Sequence, residues 1–198
     1  MSNDGVNHAR RRFLTVATTG VGVAGAGFVV TPFVGSWNPS AKAKSAGAPV
    51  KANISKIEPG QMTTFEWQGK PVYVVRRTPD MVAGLASMTD TLQDPGSLKS
   101  DQPAYCKNDH RSVKDDIFVV VGICTHLGCA PKYRPEVAPE DLGKDWVGGF
   151  FCPCHGSKFD LAGRVLKNVP APTNLTIPAY RFDSDTVIVI GEDPKGAA

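Results

Sequence analysis

Cys124-Thr125-His126-Leu127-Gly128-Cys129 and Cys152-Pro153-Cys154-His155-Gly156-Ser157 are the two stretches on which the reading of this chain turns. They hold four of the five cysteines and two of the four histidines. Each follows an apolar run, Ile117 to Gly122 and Gly149 to Phe151, so each hangs from the end of an expected strand. Six soft or borderline donors on two loops admit several chemistries. Two Cys and two His on matched loops can bind zinc, which wants four ligands. The two cysteines left over can then pair as a disulfide if the protein is exported. A mononuclear copper site would use a single thiolate. A Cys–His nucleophile pair would leave most of these residues unexplained.

Outward from the loops the chain from Lys51 reads as a β-rich domain. Met62 to Trp67 alternates, Gln68-Gly69-Lys70 reads as a turn, and Pro71 to Val75 follows as a second strand. Thr78-Pro79-Asp80 carries an N-cap followed by Pro at the first helical position, opening a short helix toward Ser87. Ala179 to Phe182 and Thr186 to Ile190 predict a closing hairpin, with Asp183 to Asp185 as its turn. The long gap between Cys129 and Cys152 holds Pro131, Pro135 and Pro139 with Glu136, Glu140 and Asp141, and reads as an inserted surface loop. His8 and His110 sit in polar stretches and read as surface residues; Cys106 reads as a partly buried free thiol.

The first 50 residues are different in kind. Arg10-Arg11-Arg12-Phe13-Leu14 resembles a bacterial twin-arginine export signal, and no charged residue follows until Lys42. The apolar stretch from Phe13 to Gly35 would span roughly 34 Å as a helix, enough for a bilayer core. Ala41-Lys42-Ala43 offers a cleavage site. The stretch exceeds the usual length of a cleaved apolar region, which favours a retained anchor with its N-terminus inside. Residues 36–50, rich in Ser, Ala and Pro, read as a linker with an r.m.s. span on the order of 20 Å. The organisation expected is therefore a cytoplasmic 1–12, an anchor at 13–35, a hinge at 36–50 and a head at 51–198.

Composition narrows the classes of function. The 198 residues carry 22 Lys+Arg against 19 Asp+Glu, a net charge of +3, so the basic excess of a nucleic-acid binder is missing. At 41% hydrophobic the chain is neither disordered nor a polytopic membrane protein.

C-x-H followed by C-x-x-H is the Rieske [2Fe–2S] arrangement, in which two His replace two Cys on one iron. Spelled out with their neighbours, the two loops resemble the iron–sulfur subunit of cytochrome bc1 complexes. The resemblance continues through Arg10 to Leu14, the Asn38 to Ala41 neck, Gly69 to Val72 with Arg76 to Thr78, and a proline loop at Val169 to Pro172. It implies that Cys124 and Cys152 bind one iron and His126 and His155 the other. It further implies a Cys129–Cys154 disulfide, a Ser157 hydroxyl bonded to the cluster, and Leu127 as a cap over it. The implied fold is mainly β: a single transmembrane helix and an antiparallel head with a small cluster-binding subdomain at about 122–165.

The activity implied is that of a subunit of a quinol–cytochrome c reductase. Membrane quinol would give an electron to the cluster and a proton to His155, with His126 as the second titrating ligand. The head would then carry the electron to cytochrome c1. The implied partners are cytochrome b and cytochrome c1 in a dimeric complex, with no nucleic acid. The implied place is the bacterial inner membrane, single-pass, with a periplasmic head. The small Rieske subunit of a periplasmic arsenite oxidase is the alternative. This chain departs from the family pattern at Phe159, where a Tyr often donates to a cysteine ligand, and at Val169, where Gly is frequent.

Overall fold

The structure is a computed structural model; it describes residues 5, 7–41, 43, 47–194 and 196. Lys42 of the expected cleavage site, 44–46 of the expected hinge, and 1–4 and 6 of the expected cytoplasmic segment lie outside the described residues. The chain divides into two units, Met1–Ser45 and Ala46–Ala198.

The first unit is built on α1 (His8–Ser36), a helix of 29 residues with no buried side chain. At about 43 Å it is long enough to cross a bilayer core, and its apolar composition permits this. It starts before the expected apolar stretch, because the Asn7 side chain accepts the Arg10 N–H at 3.0 Å and caps the arginine-bearing turn. Polar side chains in the helix bond to its own backbone: Thr15 Oγ1 donates to Arg11 O and Thr31 Oγ1 to Gly27 O. That satisfies each hydroxyl without water.

Among the described residues, the second unit contains three antiparallel three-stranded sheets. In the first, β2 (Met62–Trp67) and β3 (Lys70–Arg76) form a hairpin, and β4 (Ile117–Val121) pairs with the far side of β3. The two turn residues, Gln68 and Gly69, have φ of 54° and 70°, as a type I′ hairpin requires. Val72 to Val75 and all of β4 are buried, which explains their unbroken apolar sequence. α2 (Pro79–Ser87) follows β3, with the Thr78 side chain accepting the Met81 N–H.

In the second sheet β9 (Val187–Ile190) is central, flanked by β1 (Val50–Asn53) and β8 (Tyr180–Ser184). Two expectations change here. Val50, expected at the end of the linker, is the first residue of β1 and pairs with Ile190. The last hairpin turns after Ser184 rather than at Asp183, because a register irregularity between Phe182 and Ser184 carries β8 further.

The third sheet is β5 (Lys132–Arg134), β6 (Gly149–Phe151) and β7 (Lys158–Phe159), in the order β5-β6-β7. It forms the small subdomain that carries both Cys/His loops. Fully buried Phe150 anchors it to the base, stacking on Tyr73 at 6.1 Å and lying 6.2 Å from Phe118 and 5.6 Å from Tyr133 between ring centres. The stretch expected as a plain surface loop is folded: Trp146 is 3% exposed and donates through Nε1 to Arg134 O, while Arg134 holds Asp141 with two bonds of 2.8 and 2.9 Å. Glu136, Val137 and Ala138 remain outside, as expected.

Three buried arginines close the joint behind this subdomain. Arg164 pairs with buried Asp160 at 2.7 Å and donates to Leu85 O. Arg111 donates to Ala162 O, Leu175 O and Gln102 Oε1, and Arg77 to His110 O, Asp115 O and Ser112 Oγ. Burial pulls the Arg77 and Arg111 pKa values down to about 10, against an opposing pull from Asp160. His110, expected at the surface, is half-buried in this joint and its Nδ1 is enclosed; His8 is exposed.

Candidate metal centre

The two loops fold alike. In the first, the Cys124 N–H donates to Cys129 O at 2.7 Å and the Gly128 N–H to Cys124 O at 3.0 Å. In the second, the Cys152 N–H donates to Ser157 O at 2.8 Å and the Gly156 N–H to Cys152 O at 3.0 Å. Gly128 and Gly156 turn the chain with φ of 83° and 77°, where a side chain would be strained. Matched position by position, Cys124 corresponds to Cys152, His126 to Cys154, Leu127 to His155 and Cys129 to Ser157.

This frame sorts the donors by type. Cys124 and Cys152 are each 2% exposed, whereas His126 is half-buried and His155 exposed. The two imidazoles lie edge to face, 4.8 Å between centres with planes at 84°. Cys129 and Cys154 are joined as a disulfide, Cα to Cα 6.7 Å, which ties one loop to the other. The sulfurs of Cys129, Cys152 and Cys154 all lie within 4.8 Å of one another. Two of these are spent on each other, so this trio is not itself a ligand set.

The inner thiols are close neighbours. Burial pushes the Cys124 thiol up, the adjacent Cys152 adds to this, and the His126 N–H and the Ser157 hydroxyl pull it down by donating to its sulfur. A buried sulfur pair and an outer nitrogen pair suit a centre of two irons, each taking one kind of donor. Donors aimed at sulfur also favour the more electron-rich state of such a centre.

The proline loop braces both Cys/His loops. Thr125 Oγ1 donates to Thr173 O at 2.7 Å, and the Ala171 N–H donates to Ser157 Oγ at 3.1 Å. Ser157 thus faces the loop through its oxygen and Cys124 through its hydrogen. The sequence pointed to Val169 to Pro172, but not to Thr125, whose acceptor is 48 residues away. Leu127, expected to cap the centre, is 70% exposed in this chain. Phe159 is fully buried in β7, opposite Phe150, and supplies no hydroxyl. Cys106 lies elsewhere: it is fully rather than partly buried, and burial raises its thiol to about 11.

The chain is similar to known proteins along its whole length. Residues 1–40 match the family described as "Ubiquitinol-cytochrome C reductase Fe-S subunit TAT signal", and residues 48–181 match the "Rieske [2Fe-2S] domain". The ubiquinol-cytochrome c reductase iron-sulfur subunit of Allochromatium vinosum is 60% identical over 100% of this chain and 95% of its own. The subunit of the same name from Blastochloris viridis is 41% identical over 96% of this chain and 97% of its own. That of Rhodospirillum rubrum is 39% identical, covering 96% of each. With a Rieske [2Fe-2S] domain across most of its length and relatives of this identity from end to end, the chain belongs to the family of ubiquinol–cytochrome c reductase iron–sulfur subunits.

Proposed function

We propose that Cys124 and Cys152 hold one iron of a [2Fe–2S] cluster and that His126 and His155 hold the other. The observation that carries this is the sorting of donors on twin loops, thiols inside and imidazoles outside. The bound cluster supplies a one-electron acceptor whose potential histidine ligation raises above that of all-cysteine clusters. The chain's own residues do the rest. His155, exposed at the tip, presents its outer ring nitrogen to the hydroxyl of a membrane quinol and takes its proton. His126 is the second, more enclosed imidazole of the pair. Ser157 and the His126 N–H favour the reduced centre by donating to Cys124 sulfur. Leu127 reaches outward beside the imidazoles, where it would meet a docked partner and shield the centre.

In this reading the chain is the electron-transferring subunit of a dimeric quinol–cytochrome c reductase. It takes its electron at cytochrome b and yields it to cytochrome c1. Residues 1–12 stay on the cytoplasmic side of the bacterial inner membrane, the segment 13–35 anchors the chain, and 36–50 tethers a periplasmic head. A tether holds the head at high effective concentration near both partners. The test is iron and acid-labile sulfide analysis with EPR on the purified full chain, its Cys152→Ser variant and its His155→Ala variant. Equal iron and sulfide with a reduced-state EPR signal, lost in Cys152→Ser, is expected. His155→Ala should lose either that signal or electron uptake from quinol. A colourless chain that holds zinc, or His155→Ala with normal quinol oxidation, would overturn the reading.

A further inference from the structure

The sulfur of Cys152 has two neighbours that metal ligation does not use. It lies within 4.8 Å of both sulfurs of the Cys129–Cys154 disulfide, and it is a free thiol. A thiol held against a disulfide is the reactant pair of thiol–disulfide exchange. Cys152 is itself 2% exposed, whereas Cys129 is half-buried and Cys154 exposed, so the attacking sulfur sits inside while the leaving sulfur faces solvent. The two loops that carry the three sulfurs are each fixed by their own backbone bonds, so the sulfurs meet without a search.

We infer that Cys152 has a second role: in the unloaded chain it is an internal nucleophile that moves the disulfide. The Cys152 thiol gives its proton to solvent and its sulfur attacks Cys129 Sγ. A Cys129–Cys152 bond forms, the Cys129–Cys154 bond breaks, and Cys154 leaves as a thiolate that takes up a proton. One disulfide and one thiol enter and leave, so no oxidant or reductant is needed. Attack falls on Cys129 rather than Cys154, because a Cys152–Cys154 bond would close across Pro153, whose fixed φ opposes folding the two cysteines together. The product withdraws Cys152 from the inner donor pair. Occupancy of the centre and position of the disulfide are therefore coupled: a ligated Cys152 cannot attack, and a Cys152 bound to Cys129 cannot ligate. The coupling rests on the cluster reading above; the exchange rests only on the three sulfurs.

The full chain tests this by disulfide mapping. The loaded chain and a chain stripped of iron by a chelator, anaerobically and without reductant, are unfolded in mildly acidic denaturant with N-ethylmaleimide present, digested and mapped by mass spectrometry. The loaded chain should show Cys129–Cys154 alone. The stripped chain should gain Cys129–Cys152, with label appearing on Cys154 and the number of labelled thiols unchanged. Cys129–Cys154 persisting alone in the stripped chain, with Cys152 labelled, would overturn the inference. Two variants decide it without chelation, since each lacks one inner donor. Cys124→Ser should move its disulfide; Cys152→Ser should keep Cys129–Cys154 throughout. An unmoved disulfide in Cys124→Ser, or a moved one in Cys152→Ser, overturns the exchange. Wild-type chain without iron overturns the cluster reading instead, and leaves the variant pair to decide the exchange.

Discussion

Replacing Ser157 by Ala removes one oxygen atom with two separable jobs. The side chain is fully buried; its hydroxyl donates to Cys124 sulfur and its oxygen accepts the Ala171 N–H at 3.1 Å. The first bond strengthens as the sulfur gains electron density on reduction. A neutral hydrogen bond contributes about 1 kcal/mol and one to a charged group about twice that, so the reduced state loses about 1 to 1.5 kcal/mol more than the oxidised one. For a one-electron couple, in which a tenfold change corresponds to 59 mV, the midpoint should fall by about 40–65 mV. The second job is structural. The Ala171 N–H loses its partner inside the protein, costing about 1–3 kcal/mol of stability.

An EPR-monitored redox titration reads the first effect, and urea unfolding reads the second. Thr125→Val separates them. It cuts the other tie to the proline loop, Thr125 to Thr173, without removing a donor to sulfur. It should cost about 1 kcal/mol in stability and leave most of the midpoint in place. A Ser157→Ala midpoint equal to wild type, or an equal fall in both variants, would refute the reasoning.

Arg164→Ala should destabilise the head by about 3–5 kcal/mol in urea unfolding, because it strands buried Asp160 without its ion-pair partner. Phe159→Tyr should raise the midpoint if the added hydroxyl reaches a ligand sulfur, measured in the same titration; an unchanged value would show that it does not. Cys106, its thiol raised to about 11 by burial, should resist a thiol-specific reagent at neutral pH until the head unfolds. Asp94 sets part of the acid limit. Burial raises its pKa, but donation from the Lys99 and Leu98 N–H groups and the Ser100 hydroxyl leaves it below the ordinary value. A depressed folded pKa gives stability that is present above the unfolded value, near pH 4, and lost as pH falls through the folded one. Asp94→Asn should flatten that limb of the unfolding curve.

What was legible in the sequence followed short-range rules. The β2–β3 hairpin announced itself by alternation and a two-residue turn, and α2 by Thr78-Pro79, because strand pleat and helix capping act within a few residues. The two Cys/His loops stood out because few chemistries ask for Cys and His at that spacing, and each hangs from a strand end as expected. β1 was not legible: its alternation, Val50 and Ala52 inward against exposed Lys51 and Asn53, lasts only four residues and follows a Ser/Ala/Lys-rich stretch, and its strand status depends on β9, far along the chain. Trp146 and Leu142 were read as loop because their apolar contacts lie across a proline-rich stretch that has no period. The clamps of Arg77, Arg111 and Arg164 were equally hidden. An arginine bound to backbone carbonyls leaves no trace in the sequence of its acceptors.

The matched pair of loops has a consequence for the speed of electron transfer. An electron hop slows when the atoms around the redox centre must rearrange between its two oxidation states. Here each loop closes its own pair of backbone bonds, the disulfide fastens one loop to the other, and the proline loop pins each once more. A frame so over-determined has little room to shift, so its polar groups are set before the charge arrives. The one-residue offset of His155 relative to His126 on otherwise equal loops frees the corresponding position of the second loop for Cys154. In the proposed centre, a single backbone shape used twice thus provides both the ligands and the fastening that keeps its reorganisation energy small.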